Sequence, residues 1–318
     1  MHSRDFLQLK WALHPDNPLI RPPFPSPLIA DPTLIVPAES PDGQWHLFAH
    51  SILGIHHYTS RDGILWQKGK RLITGALRPF IFQNQGLYHL YFEQVGSLNM
   101  ALAMLPFRKW HSCISVISSN DLLNWSAPEK ALLPDVAYAR EPNGEMAVSN
   151  PCVVKVGEEY LLYFSAGLVH VSDCGFNEPR LISVAKGKSP KGPFVSNRLP
   201  IIIPDSNNRW NNLGAGSMKV IRTDDGWVSF QNGIYEHDGK SGSAIRLLFS
   251  TDGIHWSQLS DEPLLAPSGS GWMASHIYAC DIRQHEGEWR LYFNARTTAH
   301  WAKGKEAIGL MVGRSCRD

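Results

Sequence analysis

Asp31 stands in "LIADPTLIV", at the lip of an apolar, β-branched run. A carboxylate there either bonds its own backbone at a turn or is presented to a ligand. An ionised carboxylate working with a protonated one is one arrangement that can do acid–base chemistry. Three glutamates are candidates for the second. Glu141 lies in "YAREPNGEM", ahead of an apolar run. Glu93 ends "LYFEQ", where aromatic neighbours would desolvate it and raise its pKa. Glu236 lies in "GIYEHDG", next to the turn "HDGKSG". Arg78, before Pro79, borders another apolar run. A guanidinium there is costly to bury alone. It is expected to meet Asp31, Glu93 or a carboxylate on a substrate.

The elements that must position these groups are repeats. Five segments share one pattern: "DPTLIVPAESPDGQWHLFAH", "RPFIFQNQGLYHLYFEQ", "NPCVVKVGEEYLLYFSAG", "SMKVIRTDDGWVSFQNG" and "ACDIRQHEGEWRLYFNAR". Each is an apolar run, a turn with glycine and an aromatic-rich run, which reads as a β-hairpin. A third strand follows each: "GIHHYTS", "CISVISS", "RLISVAK", "AIRLLFS" and "AIGLMVG". Three of these lead into a turn with an aspartate four residues before a tryptophan: Asp62 and Trp66, Asp121 and Trp125, Asp252 and Trp256. Each tryptophan opens a fourth strand. The fold class expected is all-β, a single five-bladed β-propeller of four-stranded antiparallel blades. Insertions fall near 95–110, 126–149, 167–180, 200–214 and 266–277. The last copy ends after its third strand, and residues 6–15 are expected to supply the fourth and close the ring.

In a propeller the first strand of each blade lines the channel and the second runs back antiparallel. First-strand starts and second-strand ends therefore share a face. The starts are Asp31, Arg78, Asn150, Ser217, and Tyr278 with His276. The ends are His50, Glu93, Ser165, Gln231 with Asn232, and Asn294 with Arg296. Such a ring of polar groups at the edges of apolar strands predicts one central pocket. Trp210 and Trp272, in insertions before the fourth and fifth inner strands, are expected to reach it as stacking platforms.

The repeats, the "ADPTLI" start and the turns "TSRDGILW" and "STDGIHW" resemble the five-bladed propeller glycoside hydrolases, the group of families 43, 62, 32 and 68 and their relatives. The resemblance runs over essentially the whole chain. It implies glycoside hydrolysis, with furanosides favoured, and makes Asp31 the base or nucleophile. It also implies an acid on blade three, which favours Glu141, whereas family 43 places its acid on blade four, where Glu236 stands. Two family features are absent. Asn150 in "SNPCVV" occupies the place of a blade-three aspartate, and Tyr278, with His276 two residues before it, occupies the place of a blade-five histidine.

The remaining features limit the alternatives. A formal net charge of +1 speaks against a nucleic-acid footprint and a polybasic membrane surface. The five cysteines form no C-x-x-C pair and the fourteen histidines no H-E-x-x-H motif, so no metal or cofactor is expected, and a central-channel cation has no support from spacing. The first residues lack the apolar core of a signal peptide, and a cytoplasmic location is expected. The expected partner is an oligosaccharide or glycoside, held by Arg78, Asn150, Ser217, Asn232, Glu236, Trp272, His276, Tyr278 and Arg296. The rivals are a carbohydrate-binding or biosynthetic propeller without hydrolysis, and a transferase or phosphorylase using Arg78, Arg296 and His276 for phosphate.

Overall fold

In a computed structural model, which describes residues 1–96 and 109–315, twenty strands group into five antiparallel blades, the fourth and fifth joined into one sheet by a parallel bridge between Ser243 and His276. Blade one is β2 (Ala30–Ile35), β3 (Trp45–Ser51), β4 (Gly54–Ser60) and β5 (Gln67–Ile73). Blade two is β6 (Ala76–Asn84), β7 (Leu87–Gln94), β8 (Cys113–Ser119) and β9 (Glu129–Leu132). Blade three is β10 (Val148–Val156), β11 (Glu159–Val171), β12 (Phe176–Gly187) and β13 (Val195–Ser196). Blade four is β14 (Met218–Thr223), β15 (Gly226–His237), β16 (Lys240–Ser250) and β17 (Ser257–Gln258). Blade five is β18 (His276–His285), β19 (Glu288–Arg296), β20 (Glu306–Arg314) and, from the N-terminus, β1 (Lys10–Leu13).

The closing strand is shorter than the stretch 6–15. Lys10–Leu13 pairs with Met311–Arg314, while Asp5–Gln8 forms a helical turn, α1. That turn has a packing role. The blade-turn tryptophans wedge between blades: Trp66 meets Tyr292 of blade five edge-on at 5.9 Å, Trp125 meets Phe48 of blade one at 5.8 Å, and Trp256 meets Tyr163 of blade three at 6.1 Å. Blade five has no tryptophan turn of its own. Phe6 of α1, fully buried, packs edge-on against Phe230 of blade four at 5.5 Å and Trp289 at 4.9 Å. The Trp11 indole donates to the Phe6 carbonyl and fixes the turn on the strand that follows it.

The recurring aspartates are structural. Asp62 accepts from the Ser60 hydroxyl and from the amides of Ile64 and Leu65, and Asp252 does the same with Ser250, Ile254 and His255. Each stabilises the turn that delivers its tryptophan. Neighbouring blades are cross-linked around the channel. The Thr33 hydroxyl donates to Asp281 of blade five and accepts from the Ile81 amide of blade two. Asn232 and Ser243 of blade four donate to the Ile277 carbonyl of blade five. No helix among the described residues is long and apolar enough to cross a membrane.

Substituting Phe6→Ala removes a buried ring at the seam between blades four and five. The expected loss is about 3–5 kcal/mol in denaturant unfolding, with Phe6→Leu losing less than half as much. A midpoint unchanged by Phe6→Ala would show that the N-terminal turn does not hold the last blade.

Candidate active site

Three inner strands leave the β region at the same register. Asp31, Arg78 and Asn150 have φ of 53°, 51° and 49°, each is followed by a proline, and each sits in a register shift of its hairpin. Gly216, at φ 58°, precedes β14 in blade four, and β18 shifts register between Ile277 and Cys280, around Tyr278. An extra residue in one strand rotates the side chains that follow and re-aims the bulged one. The left-handed conformation costs a non-glycine residue free energy and is kept where the surroundings enforce it. Asp31, Arg78, Asn150, Gly216 and Tyr278 all line one central cavity of about 520 Å³.

Ser217, Asn232 and Arg296 join them on the wall, with His50 and Asn294, which also lie on the face read from the sequence. Two further wall residues, Glu178 and Glu306, belong to third strands. A third strand starts beside the end of the second and so shares its face. Glu178 stands two residues before "RLISVAK" and Glu306 directly before "AIGLMVG". That placement was the available signal for both.

The remaining expected residues lie elsewhere. Glu141 is not on the cavity wall. Its carboxylate accepts from the Leu168 amide at 2.8 Å and pairs with Arg180 at 3.2 Å, holding the insertion that precedes β10. Glu93 is fully buried behind the wall, bonded to Arg78 and to the Trp110 indole at 2.9 Å. Glu236 is exposed near the β15–β16 turn, its backbone bonded to Asn212. Trp272 stacks on Phe293 at 5.5 Å and presses on Gly309, so it belongs to the core of blade five. Trp210 packs edge-on against Tyr235 at 5.1 Å, under Arg209. His276 is buried behind Tyr278, stacked on its ring at 5.3 Å. It contacts the hydroxyls of Ser275 at 2.6 Å and Ser241 at 3.2 Å, and its pKa falls to about 3 through burial and the nearby Arg296.

The charges are arranged in pairs. Arg78 bonds Glu93. Arg296 donates to Glu306 through Nε and Nη2, both at 3.0 Å, and to the Ala299 carbonyl, and it lies 4.6 Å from the centre of the Tyr278 ring. Glu306 also accepts from Asn294, whose side-chain oxygen receives the Asp31 amide. Two wall carboxyls have no arginine clamp. Asp31 lies 3.2 Å from His50 Nδ1, which accepts the Arg78 amide. His50 is held neutral, its pKa pushed down to about 3 by burial and by Arg78. Burial raises the Asp31 pKa against the opposing pull of Arg78 and Lys219. Glu178 accepts the Tyr278 hydroxyl at 2.8 Å, and burial raises its pKa against Arg296, that hydrogen bond and Arg78. Among the described residues no group of three or more His, Cys, Asp or Glu side chains is placed to hold a metal ion.

No family model matches the chain, and no curated protein does. Its fold matches solved five-bladed propeller enzymes over nearly its whole length, at low identity. An α-L-arabinofuranosidase from Podospora anserina, in complex with cellotriose, is 15% identical at a TM-score of 0.64, covering 96% of this chain and 97% of that one. A β-1,2-mannobiose phosphorylase from Listeria innocua, in complex with β-1,2-mannobiose, is 11% identical at 0.66, covering 95% and 96%. An N-acetylgalactosamine deacetylase from F. plautii, in complex with blood group B trisaccharide, is 13% identical at 0.66, covering 96% and 95%. The expected resemblance to propeller glycoside hydrolases is therefore found in the fold.

Removing one member of a buried ion pair leaves the other uncompensated. Arg78→Met is expected to cost about 3–5 kcal/mol in urea unfolding. Adding Glu93→Leu should restore most of that loss. Additive losses in the double variant would mean that the two groups do not act as a pair.

Proposed function

We propose that the protein is a glycoside hydrolase whose cleavage site is the central cavity, with Asp31 as the ionised carboxylate and Glu178 as the acid. One observation carries the reading. Of the three carboxyls on the cavity wall, Glu306 is clamped by Arg296, whereas Asp31 and Glu178 face the cavity without an arginine clamp. Glu178 suits the acid role because burial holds its proton more tightly than in an exposed glutamate. Burial raises the Asp31 pKa as well, and its ionised role rests on its place at the start of the first inner strand, with Arg78 and Lys219 opposing that rise. Asp31 acts on water or on the sugar carbon, while Glu178 passes its proton to the departing oxygen. Asn150 and Asn232 supply neutral donors and acceptors for hydroxyl groups, while Asn294 holds Asp31 and Glu306 in place. Proteins of the same fold solved in complex with β-1,2-mannobiose and with cellotriose support a carbohydrate as the ligand.

Hydrolysis is preferred over phosphorolysis on charge. A phosphate site needs cationic charge that the protein has not already neutralised. The floor's cations are already matched: Arg296 is paired with Glu306, Arg78 with Glu93, and His276 is neutral and off the cavity wall; Arg71, the wall arginine without an ion pair among the described residues, belongs to the outer strand β5.

Hydrolysis of p-nitrophenyl and methyl glycosides, across furanoses and pyranoses, tests the assignment. Asp31→Asn should lose about 10³-fold or more in kcat/KM on every cleaved substrate. Glu178→Gln should lose about 10²–10⁴-fold on methyl glycosides. It should lose far less on p-nitrophenyl glycosides, whose leaving group departs without a proton. Wild-type activity should fall as acid protonates Asp31 and again as base strips Glu178, each limb displaced upward from an ordinary carboxyl. Full turnover by Asp31→Asn, or equal losses by Glu178→Gln on both substrate classes, would overturn these roles.

A further inference from the structure

We infer that the site takes glycosides of a single sugar joined to an apolar leaving group, a substrate class that rests on the glycosidase reading. The cavity has two levels. Its floor is built from inner-strand starts and the strand ends beside them, and is polar: Asp31, Asn150, Glu178, Asn232, Tyr278 and Asn294. Its rim comes mainly from the loops that join second to third strands. Ile52 and Leu53 lie between β3 and β4, Trp110 between β7 and β8, and Trp301 between β19 and β20. Phe176 opens β12, and Leu28 precedes β2.

These six rim residues are apolar in the main, and the polar edge of Trp110 is already used. The Trp110 indole N–H is donated to Glu93, which leaves its ring as a face. Phe176 meets that ring edge-on at 6.2 Å and 85°, forming a fixed aromatic corner. The Trp301 amide is tied to the Cys174 carbonyl, which anchors the third aromatic. Ile52 remains 38% exposed with no cover among the described residues. Beside this wall the cavity is also lined by Arg71 of β5 and by Thr74, which follows that strand.

Hydroxyl groups buried without partners are costly. One sugar finds partners on the floor, and a second sugar at the rim would leave most of its hydroxyls unmatched. An aryl or alkyl group in the same position loses nothing polar and buries its surface against Leu28, Ile52, Leu53 and the aromatics. The cavity volume, about 520 Å³, accommodates one sugar and a group of similar size.

The test is calorimetric binding to the Asp31→Asn protein, which limits turnover. The probes are methyl, phenyl and n-octyl glycosides of the same sugars below micelle formation, with 1-octanol alone. Octyl glycosides are expected to bind at least about 10-fold more tightly than methyl glycosides, since each buried methylene contributes up to about fourfold. Leu53→Ser and Trp301→Ala should reduce that ratio below about threefold while leaving methyl glycoside affinity unchanged. If no panel sugar suits the floor, 1-octanol should still bind and lose affinity in both variants. Methyl and octyl glycosides binding alike, or neither octanol nor any octyl glycoside binding, overturns the inference. The hydrolase reading fails separately. A protein that binds octyl glycosides tightly and cleaves none keeps the apolar rim and loses the enzyme. One that cleaves methyl and octyl glycosides with equal kcat/KM and equal affinity does the reverse.

Discussion

The bulge at the start of the inner strands is the constraint on which the site depends. Asp31, Arg78 and Asn150 hold left-handed backbone at matching places in three blades. Such a conformation costs about 1–3 kcal/mol per residue. Without the bulge, strict alternation would set the register of everything that follows. With it, the bulged side chain turns into the cavity while the strand beyond packs normally between blades. The prolines at 32, 79 and 151 suit these positions, because a proline has no amide to leave unpaired where the ladder is interrupted. The packing of the ring and the polar floor of the pocket are thus two consequences of one backbone device.

The charges on that floor follow from burial. Each arginine brought to the axis is matched with a glutamate from a neighbouring strand, Arg78 with Glu93 and Arg296 with Glu306. These pairs make the interior tolerate guanidinium groups and fix the surrounding hydrogen bonds. They also set apart the two carboxyls that are not clamped. Asp31 faces a neutral imidazole, and Glu178 accepts from a phenol whose own proton is held firmly by burial. The Asp31–Asn294–Glu306–Arg296 chain links blade one to blade five, so the closure of the propeller and the geometry at Asp31 are coupled.

Local pattern carried much of the fold. Alternating runs, turn glycines and the spacing of aspartate and tryptophan report on neighbours a few residues apart, which is why the blades and their order were legible. The face that bears the site was legible too, because antiparallel pairing fixes which strand ends meet. Asp31, Arg78, Asn150, Asn232, Tyr278 and Arg296 were placed on it from the chain alone and do line the cavity. Loop residues were not legible. Glu141 and Trp272 sit in insertions whose direction no short-range rule sets, and both turn into local packing instead.

The five repeats, the propeller and the level at which Asp31 sits are written in the chain, since all three follow from periodicity and pairing. Which carboxylates remain available depends on how the blades pack. Glu93 is consumed by Arg78, Glu306 by Arg296, and Glu178 is brought to the wall by a third strand that begins far along the chain from Asp31. Burial and ion pairing depend on what arrives from other blades, and that information is in no single stretch of the chain.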